Sequence, residues 1–283
     1  MTAAVTPAVR PALALVDGHN LLWRAAFGFP AAIRSRDGTD RTAVFAFFAL
    51  LRAALATLEQ PAECIVCFDG EHGAARRQQA DDGYKRNREA ADLRPLLALP
   101  DVQRGLATLG VGWIELDDEE ADDVIASLVR LDPARSTRIV STDRDYLQLV
   151  TDQVRLLVTA GRGGPRLLGP AEVLDRYGVH PQQWCDFRAL TGDPADHIPG
   201  VRGVGAKTAA RLLAGGATLE TLQASGRLAG RVGQTIRDHW GRLLGWRELV
   251  RLRDQVVLPC TPSRTATPAL PAPRAVLEEL KLW

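Results

Sequence analysis

Lysine is almost missing from this chain. Arginine carries nearly all of the positive charge, and Lys85, Lys207 and Lys281 are the only lysines in 283 residues. Arginine is the planar, permanently charged choice, so a lysine kept at a given place suggests a need for a compact ammonium. Long apolar runs are also absent: the longest, Ala43 to Leu51, stops at Arg52, well short of a bilayer span. The N-terminus lacks the basic start, apolar middle and small-residue cleavage site of a secretion signal, so a cytoplasmic location is expected. Four cysteines are too few and too scattered for a disulfide framework. Cys64 and Cys67 are spaced as CxxC, but the run from Cys64 to Phe68 reads as a strand. Residues three apart on a strand face opposite ways, which argues against a shared metal or disulfide. No internal repeat is visible.

What the sequence does have is aspartate at the ends of strands. Ala12 to Val16, Cys64 to Phe68 and Arg138 to Thr142 are short apolar runs followed by Asp17, Asp69 and Asp143. Such runs, alternating with helical patterns through about residue 160, predict buried parallel strands in a doubly wound α/β sheet. Ligands bind such sheets beyond the carboxyl ends of the strands, where these acids fall. Glu120, Asp122 and Asp123 open a predicted helix between the second and third of these strands, and Asp145 follows Asp143. Taken singly, each group reads as a helix cap. Converging on one edge, so many carboxylates would raise one another's pKa unless cations neutralised them, and oxygen-only donors suit magnesium or manganese. Metal-dependent phosphoryl transfer is the chemistry expected of such an edge.

Helices are predicted at Asn20 to Phe27, Thr42 to Leu58, Val102 to Leu109, Glu119 to Arg130 and Asp143 to Leu149. Further strands are predicted at Gly112 to Leu116 and Val154 to Val158, with a hairpin turn at Arg162 to Pro165. The strand-helix rhythm lapses between Gly70 and Leu99, a basic stretch with Arg76, Arg77, Tyr84, Lys85, Arg86, Arg88 and Arg94. An insertion of that length beside a catalytic strand end suggests function. From Pro181 the pattern is helical, residues 259–273 read as an extended tail, and Val276 to Leu282 as a short helix docking back on the core. Net charge is only +1, yet Gly200 to Arg253 holds ten basic residues against Glu220, Asp238 and Glu248. An acidic core joined to a basic annex would hold cations in one part and phosphates in the other.

The fifth acidic segment contains Asp193 and Asp196 and leads into Val201-Arg202-Gly203-Val204-Gly205-Ala206-Lys207-Thr208. Gly203 and Gly205 would let the backbone approach a phosphate, with Arg202, Lys207 and Thr208 beside it, without reading base sequence. A nucleotide P-loop does not fit, because Ala206 stands where glycine must precede lysine and no strand comes before. A plain helix-helix turn is the alternative.

DGHN at 17–20, FDG at 68–70, YKRNR at 84–88, EADD at 120–123, TDRDYLQL at 142–149 and LTGDPADHIPGVRGVGAKTA at 190–209 together resemble the 5′-nuclease family. Its members are the 5′→3′ exonuclease domains of bacterial DNA polymerase I and the flap endonucleases. The resemblance implies a PIN-like core over residues 10–180 with a helical arch near 76–100, a helix-three-turn-helix DNA clamp over 181–258, and a tail at 259–283. It implies a first metal cluster of Asp17, Asp69, Glu120 and Asp122, and a second of Asp143, Asp145, Asp193 and Asp196, with Asp123 adjacent. Two divalent cations, magnesium or manganese, are implied as cofactors, and a potassium ion at the glycine hairpin would be consistent with it. His197 stands where asparagine is usual, and Ala206 where an acid or polar residue is frequent.

The expected activity is metal-dependent cleavage of phosphodiesters near the 5′ ends of flapped, nicked or duplex DNA, in replication or repair. Lys85 and Arg88 would neutralise the scissile phosphate, with Asp17 and Asp143 at the reacting centre. Arg24 and Arg77 match phosphate-contacting positions, and Tyr84 either stacks on an unpaired base or packs within the arch. DNA is the expected partner, with RNA–DNA primer junctions and a DNA polymerase as further candidates. The rivals are a non-catalytic DNA-structure binder and a PIN-type ribonuclease.

Overall fold

The structure, a computed structural model, describes residues 10–86, 92–161 and 163–283. Strand β1 (Ala12–Asp17) is buried along its whole length, because parallel neighbours β2 (Ala62–Asp69) and β4 (Thr137–Val140) flank it on either side. With β3 (Gly112–Leu116), β5 (Val154–Val158) and the short β6 (Arg166–Leu168) the sheet runs β3-β2-β1-β4-β5-β6. Only β6 is antiparallel, as the outer arm of the hairpin predicted around Gly163 and Gly164; Arg162 lies outside the described residues. The winding reverses between β1 and β4, so Asp17 and Asp143 flank the switch point where such sheets take their ligands.

In chain order the helices of the first part are α1 (Gly18–Gly28), α2 (Thr42–Ala56), α3 (Ala75–Ala80), α4 (Leu99–Thr108) and α5 (Ala121–Leu131). The second part contributes α6 (Pro170–Tyr177), α7 (Trp184–Thr191), α8 (Ala206–Leu212), α9 (Leu219–Ala224), α10 (Gly230–Asp238) and α11 (Trp240–Val250). Alternation along the strands sends side chains to two cores. Ala14, Val16, Cys64 and Val66 pack with α1, α2 and α4 on one face, while Leu13, Leu15, Ile65 and Cys67 pack with α5 on the other. Cys64 and Cys67 therefore lie on opposite sides of the sheet, as their spacing predicts. The second core continues without a break through Trp184, Leu190, Leu212 and Leu243, so the helical part is packed directly against the sheet.

Three elements differ from expectation. The helix predicted from Asp143 is a single 3₁₀ stretch, Asp145–Leu149, and α6 is a short helix that the sequence reading does not predict, burying only Val173. The tail crosses the amino ends of the strands. The Thr267 N–H donates to the Ala62 carbonyl at 2.9 Å, and the Cys64 N–H to Thr267 Oγ1 at 2.8 Å. It ends in α12 (Pro273–Glu279), which begins earlier than expected and buries Val276 and Leu277 against α2.

Candidate metal centre

Asp17 ends β1 and caps α1: the Asn20 N–H donates to Asp17 Oδ1 at 3.0 Å, and Ser141 Oγ and Tyr146 Oη donate to Oδ2 at 2.9 and 3.3 Å. Beyond β4, the Asp145 N–H donates to Asp143 Oδ1 at 2.9 Å, which turns the chain so that both acids face the same edge. Asp69, ending β2, accepts the Ala121 N–H at 2.8 Å and so fixes where α5 begins. Glu120 sits at the cap position of α5 but makes no capping bond; its side chain turns away from the helix towards Arg77 and Lys85. The simple capping explanation fails at this residue.

The fifth segment folds back on itself. Asp193 and Ile198 exchange backbone hydrogen bonds at 2.7 and 2.8 Å, closing a loop between Gly192 and Gly200, both in the left-handed region at φ +80° and +67°. A Cβ on Gly200 would lie 2.3 Å from the Gly192 nitrogen, so glycine is required there. The loop carries Asp193 and Asp196 to Asp145, where oxygens of all three buried acids lie within 4.8 Å of one another. Glu120, Asp122 and Asp123 form a second such group. Asp17, Asp69 and Asp143 join the two: Asp69 and Asp143 both act on Asp17, Asp69 acts on Glu120, and Asp143 acts on Asp145. All five predicted segments meet at one edge.

The cost of this convergence is visible in the ionisation. Burial, then the charges of Asp69 and Asp143, push Asp17 up to about 7, against the hydrogen bonds it accepts. Burial, then Asp143 and Asp196, take Asp145 up to about 7. Burial also lifts Asp122 well above the carboxylate range, and its Oδ1 is buried without a hydrogen-bond partner among the described residues. Oxygen-only donors in this number, with an Asp122 oxygen paired only with the Arg77 guanidinium, at 3.7 Å, among the described residues, fit small hard cations. Asp123 lies beside Glu120 and Asp122, as expected, but its carboxylate is occupied. Its Oδ1 accepts from Arg77 Nη2 at 2.7 Å and the Arg253 N–H at 2.8 Å, and its Oδ2 accepts from Arg253 Nε at 2.9 Å, so both oxygens anchor arginines.

Lys85 Nζ contacts Glu120, and its backbone N–H donates to the Asp196 carbonyl at 3.2 Å, which places it between the two acidic groups. Burial opposes its charge, but Tyr84, Glu120, Asp196 and Asp122 hold its pKa well above the ordinary lysine value. Its φ of +53° is unusual for a residue with a side chain and points to a functional constraint. His197 has a φ of +61°, in the region that asparagine and histidine enter most readily, which accounts for the exchange at that position.

Two expectations in the basic stretch need correction. Tyr84 is only 3% exposed, with its hydroxyl donating to Glu120 Oε2 at 3.3 Å, so its ring is packed in the core and not free to stack on a base. Arg77 is equally buried and spends its guanidinium on Glu120, Asp123 and the Leu249 carbonyl, which is a structural role in place of a phosphate contact. Arg88 lies outside the described residues. Arg24 is half-buried, its buried Nη1 has no hydrogen-bond partner among the described residues, and the Asp17 charge acts on it. At the hairpin, Arg202, Gly203, Gly205 and Lys207 are exposed and Thr208 half-exposed, and nothing lies within 4 Å of a Cβ built on either glycine. The backbone there is open to approach.

Several contributors have no signal in sequence. Ser141 and Tyr146 orient Asp17, and Tyr146 is buried among Asp17, Asp69, Asp122 and Asp143. Asn20 Nδ2 donates to Thr142 Oγ1 at 2.8 Å and ties the β1 and β4 ends together. His19 Nδ1 accepts the Asp69 N–H at 2.9 Å, while Arg188 pairs with Asp193. His19, Asn20, Thr142 and Tyr146 lie inside the DGHN and TDRDYLQL motifs, while Ser141 and Arg188 lie outside them.

Two family models match the chain in succession: the 5′-3′ exonuclease N-terminal resolvase-like domain over residues 12–178, and the 5′-3′ exonuclease C-terminal SAM fold over 179–271. The sequence is 33% identical over 272 residues to the thermostable DNA polymerase I of Thermus thermophilus, covering 94% of this chain and 32% of that protein. It is 37% identical over 220 residues to DNA polymerase I of Deinococcus radiodurans, covering 77% and 22%. The chain thus spans about a third or less of these relatives. Among solved structures, the T5 D15 protein co-crystallised with metal ions shares the fold at a TM-score of 0.69 and 23% identity, over 85% of this chain and 89% of that one. Flap endonuclease-1 from Methanococcus jannaschii does so at 0.60 and 17%, over 96% and 86%.

Proposed function

The chain belongs to the 5′-3′ exonuclease family, and from that premise we propose that it is a metal-dependent, structure-specific 5′ nuclease acting on flapped, nicked or duplex DNA. The observation that carries this reading is the meeting of acids from five separate segments at the switch point of the sheet. Asp17, Asp69, Glu120 and Asp122 would hold one divalent cation, and Asp143, Asp145, Asp193 and Asp196 the other. When bound, magnesium or manganese supplies positive charge to the phosphate oxygens and acidifies a water molecule.

The protein's own part is positional. Ser141 and Tyr146 hold Asp17 Oδ2, and Asp69 fixes the start of α5, so the carboxylates keep their places without reorganisation during the reaction. Lys85 stays charged between the acidic groups and is the residue we assign to the scissile phosphate, joined by Arg88. Arg24, with an unpartnered Nη1, would take a neighbouring phosphate. Arg202, Lys207, Thr208 and the open backbone at Gly203 and Gly205 would hold the duplex by its backbone.

The test is cleavage of a 5′-labelled flap, a nick and a blunt duplex, with magnesium, with manganese and with chelator, sizing the products. Metal-dependent release from the 5′ end is expected, lost in Asp17→Ala and Asp143→Ala while DNA binding persists. Full activity in chelator, or in either variant, overturns the assignment. A matched flap with a 5′ RNA segment decides whether primers are also cut.

A further inference from the structure

Beside Arg77, α3 and α11 line an open cavity of ≈ 420 Å³. Five arginines line it, Arg76, Arg77, Arg242, Arg251 and Arg253, against two acids, Asp81 and Glu248. Three of the five are already engaged: Arg77 with Glu120 and Asp123, Arg253 with Asp123 and Glu119, and Arg251 with Glu248 at 3.2 Å. Arg76 and Arg242 have no ion-pair partner among the described residues, and both are exposed. The Arg242 guanidinium lies 5.6 Å from the centre of the Trp246 ring, whose stacking fixes where that charge points. Like charges crowd a concavity at a cost that an anion offsets, and guanidinium forks match phosphate oxygens.

We propose that this cavity is a seat for a nucleotide phosphate, separated from the acidic edge by the Arg77 side chain. Arg76 and Arg242 are its contacting groups, and Trp246 positions Arg242. Arg77 touches Glu120 on one side and lines the cavity on the other, so the seat lies about one side-chain length from the candidate metal centre. The choice of ligand rests on the nuclease reading. A strand running past the scissile position or a released 5′-mononucleotide would each bring the same phosphate.

The experiment measures binding in chelator, where no cleavage occurs, using a fluorescein-labelled single-stranded ten-mer by anisotropy and deoxyadenosine 5′-monophosphate by calorimetry. The double variant Arg76→Glu/Arg242→Glu is compared with Arg166→Glu/Arg176→Glu, which changes the net charge equally on β6 and α6. Binding of at least one ligand should weaken about tenfold in the first variant and less than about threefold in the second. Loss confined to the ten-mer identifies a strand; loss of monophosphate binding identifies the released nucleotide. Equal weakening in both variants, or none in the first, overturns the seat. Arg76→Ala/Arg242→Ala repeats the comparison should charge reversal perturb folding, judged by the thermal midpoint. Failure of the intact chain to cut any 5′ substrate would sink the nuclease reading and leave this binding comparison standing.

Discussion

Asp69 Oδ1 accepts the backbone N–H of Ala121 at 2.8 Å, a bond between residues 52 positions apart. One side chain thus serves twice: its charge belongs to the acidic edge, and its hydrogen bond sets the register of α5 and with it Glu120 and Asp122. The two roles separate by substitution. Asp69→Asn keeps an acceptor and should keep the thermal midpoint within a few degrees while cleavage falls by orders of magnitude. Asp69→Ala loses both and should cost about 1–2 kcal/mol more, read by urea denaturation. Equal stability in the two variants would mean that the bond to Ala121 does not anchor the helix.

Lys85→Ala should slow single-turnover cleavage by about a hundredfold or more while changing the dissociation constant for flap DNA by less than about threefold. Lys85→Arg should recover only part of the rate, because a planar fork does not occupy the place of a compact ammonium. A variant that loses affinity and keeps its single-turnover rate would move Lys85 from the reaction to binding.

Tyr84→Ala should act on the fold first. Emptying a buried aromatic site costs about 3–5 kcal/mol, whereas Tyr84→Phe, which removes only the hydroxyl facing Glu120, should cost about 1 kcal/mol. Chemical denaturation of both checks this. An Ala variant as stable as the parent, but weak for single strands, would restore the stacking role.

Glu63 supplies a pH dependence away from the acidic edge. Burial pushes its pKa up, but hydrogen bonds from Ser263, at 2.8 Å, and from Arg135 and the Arg264 N–H outweigh this and hold the carboxyl below its ordinary value. Its contribution to stability is therefore complete above the unfolded-state value of about 4.3 and disappears as pH falls through the lower folded-state value. Glu63→Gln should flatten the loss of stability in that acidic range relative to the parent, seen in thermal midpoints measured from pH 3 to 6. Parallel curves would show that Glu63 does not link the tail to the sheet.

Legibility in the sequence followed how local each signal was. Apolar runs ending on Asp17, Asp69 and Asp143 identify buried strands and place their acids, because strand burial and direction follow from short stretches alone. The Glu120 group became readable once its place between two such strands was fixed. Tyr84 stays open between two readings and Arg77 misleads, because an aromatic and a cation in a basic insertion look the same whether they face solvent or fold under onto Glu120; only the tertiary path of α3 and the turn after it decides. Ser141 and Tyr146 act through distances to Asp17 across more than a hundred residues, which no spacing rule encodes.

The opposite placement of Cys64 and Cys67 has a practical consequence. Burial holds Cys64 at about 12 and Cys67 well above the ordinary thiol value, and it lifts Cys185 to about 12 as well, so all three are poor thiolates. Cys260 alone is exposed, on the strap that crosses the amino ends of the strands. A maleimide dye should therefore couple at one point on the native protein without engineering, reporting on the strap from the end of the sheet remote from the chemistry.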